Sequence, residues 1–146
     1  MEKLLIDSSA LCDVFQASSP FRTDAIAFLE KLQTTGITAT MPAHAWFEVW
    51  CTLLRFSSID KKFAGPIIAG SRTLPIKLIH IDDHFMCKYA NQHLPPLKGG
   101  DHIFVAVAKV DGYTLITRDN QMRAACDSLG IKSMSPGEYL RLSQPT

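Results

Sequence analysis

No apolar run in this 146-residue chain approaches the ~20 residues that cross a bilayer, so no membrane-spanning helix is expected. Glu2 and Lys3 lead straight into a short apolar run that Asp7 breaks at once, so no secretory leader is expected either. Charge of one sign is also missing. The chain has 15 Lys and Arg against 14 Asp and Glu, a formal net charge of +1, and this excludes a simple basic nucleic-acid-binding module. Cysteine is sparse and scattered: Cys12, Cys51, Cys87 and Cys126 contain no CxxC pair. They are expected to be reduced thiols of a cytoplasmic protein. Repeats, low-complexity tracts and linker-like segments are absent, so a single domain over residues 1–146 is expected. A chain of that length can bury roughly 70% of its unfolded surface and needs no staples.

What is present is an alternation of strand and helix. Lys3-Leu4-Leu5-Ile6 reads as a buried strand, followed by a short helix from Ala10 to Phe15. Ser19-Pro20 opens a second helix with serine as cap and proline in the first turn. Ile26, Phe28, Leu29 and Leu32 recur along it at helical spacing, and Gly36 stops it. A β-branched strand from Ile37 to Thr40 leads through Pro42 into a helix reaching about Phe56. A helix over 60–69, a strand from Ile76 to Ile81 and a helix capped by Asp82-Asp83 come next. Proline and glycine then punctuate the loop Leu94 to Gly100. The helix from Asp101, the strand Thr114 to Thr117, the helix Gln121 to Leu129, a short strand near Ile131 to Met134 and a final helical turn after Pro136 complete the chain. Strands separated by helices predict an α/β fold: three layers, a central parallel sheet of about five strands, and helices on both faces. Ile103 to Val110 is apolar nearly all round, which marks a buried helix.

Acids fall at telling places on this framework. Asp7 follows the first strand, and Asp119 lies just past the strand Thr114 to Thr117. Asp101 stands at the mouth of the helix feeding that strand, and Glu48 lies in the helix after Pro42. In an open α/β sheet the ligand crevice lies outside the carboxyl ends of the strands. Clustered carboxylates repel one another there, and a hard divalent cation such as Mg²⁺ or Mn²⁺ removes the penalty. Such a site can position a phosphodiester and activate water.

These residues resemble the signature of PIN-domain nucleases: Asp7-Ser8-Ser9 after the first strand, Ala45-Trp46-Phe47-Glu48, Gly100-Asp101-His102 and Thr117-Arg118-Asp119. The likeness covers nearly the whole chain, and Ser135-Pro136-Gly137-Glu138-Tyr139-Leu140 is similar to the family's usual ending. The stand-alone size resembles VapC-type toxins of prokaryotic toxin–antitoxin pairs. The resemblance implies an Mg²⁺- or Mn²⁺-dependent endoribonuclease, commonly a homodimer silenced by an antitoxin, whose cleavage leaves a 5′-phosphate and a 3′-hydroxyl. It assigns Asp7, Glu48, Asp101 and Asp119 to the metal. Thr117 matches a hydroxyl that orients a carboxylate or a water, and Ser9 a small polar position beside the first acid. Lys98 and Arg118, flanking the late acids, are candidates for RNA-phosphate contacts. The near-neutral total charge counts little against a nuclease, because an anionic metal site masks local basic groups.

Each acid has a plainer reading. Asp7 and Asp101 would only cap helices, Asp119 would only form a turn, and Asp13, Asp24 and Asp127 would be surface or capping acids. Periodicity alone puts Glu48 on a solvated face with His44 and Arg55, opposite a stripe of Trp46, Val49, Trp50, Leu53 and Leu54. If Glu48 turns instead to the crevice, that stripe must pack on a helix, a second subunit or a partner. The alternative function is a non-catalytic PIN-like module that binds RNA or protein. Receiver-type or haloacid-phosphatase phosphoryl transfer is a third reading that is not expected, because Asp7-Ser8-Ser9 offers neither an acidic pair nor Asp-x-Asp. His80 and His84 straddle a strand–helix junction, so no zinc site is expected.

Overall fold

The computed structural model describes residues 1–55 and 73–143, and the helix predicted over 60–69 lies outside them. Five strands are present: β1 (Leu4–Ile6), β2 (Ala39–Pro42), β3 (Ile76–Ile79), β4 (Thr114–Ile116) and β5 (Ser133–Met134). All neighbours pair in parallel, in the order β3-β2-β1-β4-β5. Seven helices accompany them among the described residues: α1 (Ser8–Phe15), α2 (Arg22–Thr35), α3 (Ala43–Arg55), α4 (Asp83–Tyr89), α5 (Gly99–Asp111), α6 (Asn120–Ser128) and α7 (Pro136–Leu142).

The strand order explains where the helices go. From β1 the chain steps outward to β2 and β3, then jumps back past β1 to β4 and β5. With right-handed crossovers, the connections before and after that jump must cover opposite faces of the sheet. The packing agrees. Helices α1, α2, α3 and α7 form one group through the α1–α2, α1–α3 and α2–α7 contacts, and α4, α5 and α6 form another. The direction of travel reverses between β1 and β4, so the ligand crevice is expected beyond their carboxyl ends.

Strands covered on both faces are apolar throughout, and Leu4, Leu5, Ile6, Leu115 and Ile116 are fully buried. Helix α5 buries Phe104 to Ala108 continuously, as the all-round apolar sequence predicts. A fully buried side chain of the size of Phe104 contributes about 1.5–3 kcal/mol. Gly112 ends α5 in the left-handed region at φ 70° and donates its N–H to the Ala108 carbonyl, a geometry that glycine adopts without steric cost. At the far end of the chain, Ser135 and Glu138 close a reciprocal capping box on α7.

Several boundaries differ from the sequence reading. Helix α5 begins at Gly99 rather than Asp101, with Lys98 as its cap, so Asp101 lies inside the first turn. Strand β2 is shifted to Ala39–Pro42, because its ladder with β3 pairs Ala39 with Ile76 and Pro42 with Ile79. On α3 the buried residues are Ala45, Val49 and Leu53, one step round from the predicted stripe. Trp46 and Trp50 are only half-buried, and Phe47 and Leu54 are exposed.

Candidate active site

Asp7 is the structural hub of the crevice. The parallel register sets Ile6 beside Ile116, and the Asp7 amide donates to the Ile116 carbonyl at 2.9 Å. The next pair along is therefore Asp7 and Thr117. Both are buried, Asp7 at 3% and Thr117 at 0% exposure. Thr117 Oγ1 donates to Asp7 Oδ2 at 2.8 Å, and Ser9 Oγ donates to the same oxygen at 2.7 Å. Ser8 Oγ reaches Asp7 Oδ1 at 3.2 Å. Asp7 precedes α1, yet its side chain makes no capping hydrogen bond. Capping therefore does not account for it. Its carboxylate is spent on three hydroxyls.

Glu48 approaches from α3. Its Oε2 lies 3.1 Å from Ser8 Oγ, so the single proton of that hydroxyl is shared between Glu48 and Asp7. Its Oε1 sits so near the start of α5 that a methyl on Gly100 would stand 3.1 Å away. Glu48 is solvent-exposed, but it faces the crevice rather than open surface. His44, one helical turn earlier on the same face, meets the Gly100 carbonyl through Nε2 at 3.2 Å. A carbonyl only accepts, so Nε2 carries the proton, and the buried Nδ1 has no partner among the described residues. His44 and Ser8 belong to this site although the sequence reading gave them no role. The signal for His44 was its i, i+4 spacing from Glu48.

Asp119 does two things. It caps α6, its Oδ1 accepting from the amides of Gln121 at 2.8 Å and Met122 at 3.0 Å. Its own amide donates to Thr117 Oγ1 at 3.0 Å. Thr117 thus gives its proton to Asp7 while bracing the backbone of Asp119. Arg118 turns the other way. Its Nε and Nη2 bind Asp13 at 2.7 and 2.9 Å, and its guanidinium lies over the Phe21 ring at 3.8 Å. Asp13, read from sequence as a surface or capping acid, is instead 3% exposed and also accepts from Ser19 Oγ. Its partner lies 105 positions away, beyond the reach of any local pattern. Lys98 is exposed at the start of α5.

The four acids act on one another electrostatically. The Asp101 carboxyl is raised above its ordinary value, first by burial and then by the negative charges of Asp119, Asp7 and Glu48, with Lys98 opposing. Mutual repulsion of this kind is what a divalent cation relieves. Among the described residues no group of three His, Cys, Asp or Glu side chains is arranged to hold a metal directly. A hydrated Mg²⁺ does not need one, since it keeps several waters and is commonly held by one or two carboxylates. The donors are all oxygen, as a hard cation requires. The carboxylates of Asp7, Glu48, Asp101 and Asp119 are donors of the type such an ion takes.

Fold and site together define an α/β protein with Asp7 and Asp119 just past the carboxyl ends of β1 and β4, at the switch point of a parallel sheet. Residues 4–127 match the PIN domain model, and the chain belongs to the PIN-domain family. No curated protein matches it. Among solved structures it is similar to Mycobacterium tuberculosis VapC20, a sarcin-ricin loop cleaving toxin, with 16% identity, a TM-score of 0.60, and 84% of this chain and 95% of that chain covered. It is also similar to VapBC2 from Rickettsia felis bound to a promoter DNA fragment, with 11% identity, a TM-score of 0.63 and coverage of 90% and 97%. A third is FitAcB from Neisseria gonorrhoeae, with 15% identity, a TM-score of 0.63 and coverage of 91% and 97%.

Proposed function

We propose that this protein is an Mg²⁺- or Mn²⁺-dependent endoribonuclease, the toxin of a type II toxin–antitoxin pair. The observation that carries it is the buried Asp7 carboxylate, fixed by three hydroxyls at the β1–β4 switch point with the other acids around it. Asp7, Glu48, Asp101 and Asp119 would hold the metal, which when bound would supply Lewis acidity and positive charge against a phosphodiester. Thr117 and Ser9 lock the orientation of Asp7. Ser8 keeps Glu48 in register with it, and His44 ties α3 to the start of α5, so that Glu48 and Asp101 keep their spacing. Lys98 is free to meet an RNA phosphate. Water adds to phosphorus, the P–O3′ bond breaks, and the products are a 5′-phosphate and a 3′-hydroxyl.

The partner is an antitoxin protein, in keeping with the VapBC2 and FitAcB relatives. Phe47 and Leu54, exposed on α3 beside half-buried Trp46 and Trp50, suit a homodimer contact. No helix among the described residues is long and apolar enough to cross a membrane, which accords with a cytoplasmic site of action.

Asp7→Asn is expected to abolish RNA cleavage and relieve growth arrest on expression, with an unchanged circular dichroism spectrum. Cleavage at the wild-type rate in saturating Mg²⁺ refutes the assignment. That no three-donor metal group occurs among the described residues favours one second reading, a module that binds RNA or protein without cutting it. RNA retention with no turnover in either Mg²⁺ or Mn²⁺ would establish that reading.

A further inference from the structure

Beside the acid crevice lies a second cleft, of about 460 Å³, to which Phe21, Arg118, Asn120, Arg123 and Arg141 contribute. We propose that it seats a nucleotide of single-stranded RNA flanking the scissile bond; the idea rests on the nuclease reading above.

Position is the first support. Arg118 and Asn120, which line the cleft, are the chain neighbours of Asp119, so the cleft and the acid site are joined through that stretch of backbone at the carboxyl end of β4.

Chemistry is the second. Arg118 presents a flat cation fixed in place, its Nε and Nη2 held by Asp13 and its Cζ 3.8 Å over the centre of the Phe21 ring. Phe21 itself is 43% exposed. An aromatic ring and a guanidinium plane held together form a platform on which any base can stack. Because Asp13 occupies one edge of Arg118, that residue contributes a stacking surface more than a phosphate clamp.

The remaining cations supply the clamp. Arg123 commits Nη2 to Glu138, but a guanidinium carries five N–H donors, so others remain. Arg141 is exposed on the last turn of α7 and makes no ion pair within 4.0 Å among the described residues, although its Nη1 and the Asp24 carboxylate both flank Gly137. Asp24 also lines the cleft, packed against Gly137, where a methyl group would collide with its carboxylate. The cleft is therefore not a uniformly basic patch. It combines stacking with one or two phosphate contacts, which suits a nucleotide better than an acidic peptide.

The test is binding without turnover. A fluorescein-labelled eight-nucleotide single-stranded RNA is titrated, in EDTA, against the Asp7→Asn protein alone and with Phe21→Ala, Arg141→Gln or Arg141→Lys added. Melting curves check that each variant folds. Phe21→Ala is expected to raise Kd about 5-fold or more, the low end for a lost base stack. Arg141→Gln is expected to weaken binding and flatten the slope of log Kd against log salt by about 0.7, one phosphate contact on a single strand. Arg141→Lys is expected to restore that slope. If the parent binds RNA and all three variants bind as it does, the cleft proposal falls and the nuclease reading stands. If the parent binds no RNA, the cleft proposal falls, and the nuclease reading is decided separately by the Asp7→Asn cleavage assay. If a ten-residue polyglutamate peptide binds in a manner that depends on Phe21 and Arg141 while RNA binding does not, the occupant is an acidic protein segment and the RNA proposal is overturned.

Discussion

Replacing Thr117 by valine keeps the shape of the side chain and deletes the hydroxyl that joins two acids. Thr117 is completely buried, so water cannot substitute for the lost group. Asp7 Oδ2 loses a donor at 2.8 Å, and a hydrogen bond to a charged group is worth about 1.5–3 kcal/mol. The Asp119 amide loses its acceptor at 3.0 Å, at a cost of about 1 kcal/mol. The added methyl returns about 0.8 kcal/mol of apolar burial. The net loss is about 2–3 kcal/mol, or about 5–10 °C in melting temperature for a chain of this length. Metal binding also suffers, because Asp7 keeps only Ser8 and Ser9 to hold it. Loss of an orienting partner of this kind costs about 10–100-fold in metal affinity. Differential scanning fluorimetry in EDTA and Mn²⁺ titration measure the two effects separately. Thr117→Ser, which keeps the hydroxyl, is expected to retain near-native metal affinity while losing some packing. A valine variant that melts within about 1 °C of wild type and binds Mn²⁺ equally tightly refutes the bridging role.

Other outcomes follow from the same geometry. Burial and the charges of Asp119, Asp7 and Glu48 raise Asp101, so the folded chain holds that proton more tightly than the unfolded chain. Its ionisation therefore weakens the fold as pH rises through the raised value, and protonation restores stability on the way down. In EDTA at pH 7, Asp101→Asn is expected to melt above wild type. Mn²⁺ at 100 times Kd should add about 2.7 kcal/mol to wild type and less to the variant; a variant that melts below wild type in EDTA would contradict this. Asp13→Ala removes a bidentate partner from Arg118 and is expected to cost about 3 kcal/mol, the low end for breaking a buried pair, since Arg118 keeps 27% of its side chain exposed. Urea denaturation with an unchanged midpoint would count against it. Burial pushes the Cys12 and Cys126 thiols up to about 11. At pH 8 a thiol reagent should label exposed Cys87 within minutes and leave those two until the protein unfolds. Fast labelling of Cys12 in the native protein would show the α1 packing to be wrong.

Much of this protein is written locally. A run such as Leu4-Leu5-Ile6 is apolar on both faces, which only a covered parallel strand explains, and Phe104 to Ala108 announces a buried helix in the same way. The alternation of such runs with capped helices leads to an α/β sheet. Asp7, Asp101 and Asp119 stand out because each adjoins a strand end or a helix start, where side chains meet the crevice. These features depend on neighbours within a turn or a strand, so a single sequence carries them.

Partner choice does not. The order β3-β2-β1-β4-β5 is set by pairing between segments far apart in the chain, and it alone decides that Asp7 and Thr117 are neighbours. Glu48 looks like a solvated residue by periodicity, and only the packing of α3 against α1, with its start beside α5, turns it toward Ser8 and Gly100. The burial of Asp13 beneath Arg118, and the seating of Arg118 over Phe21, join residues with no local pattern in common. Periodicity records which side of an element is apolar. Which other element covers that side, and which polar groups are carried inward with it, is decided when the layers close.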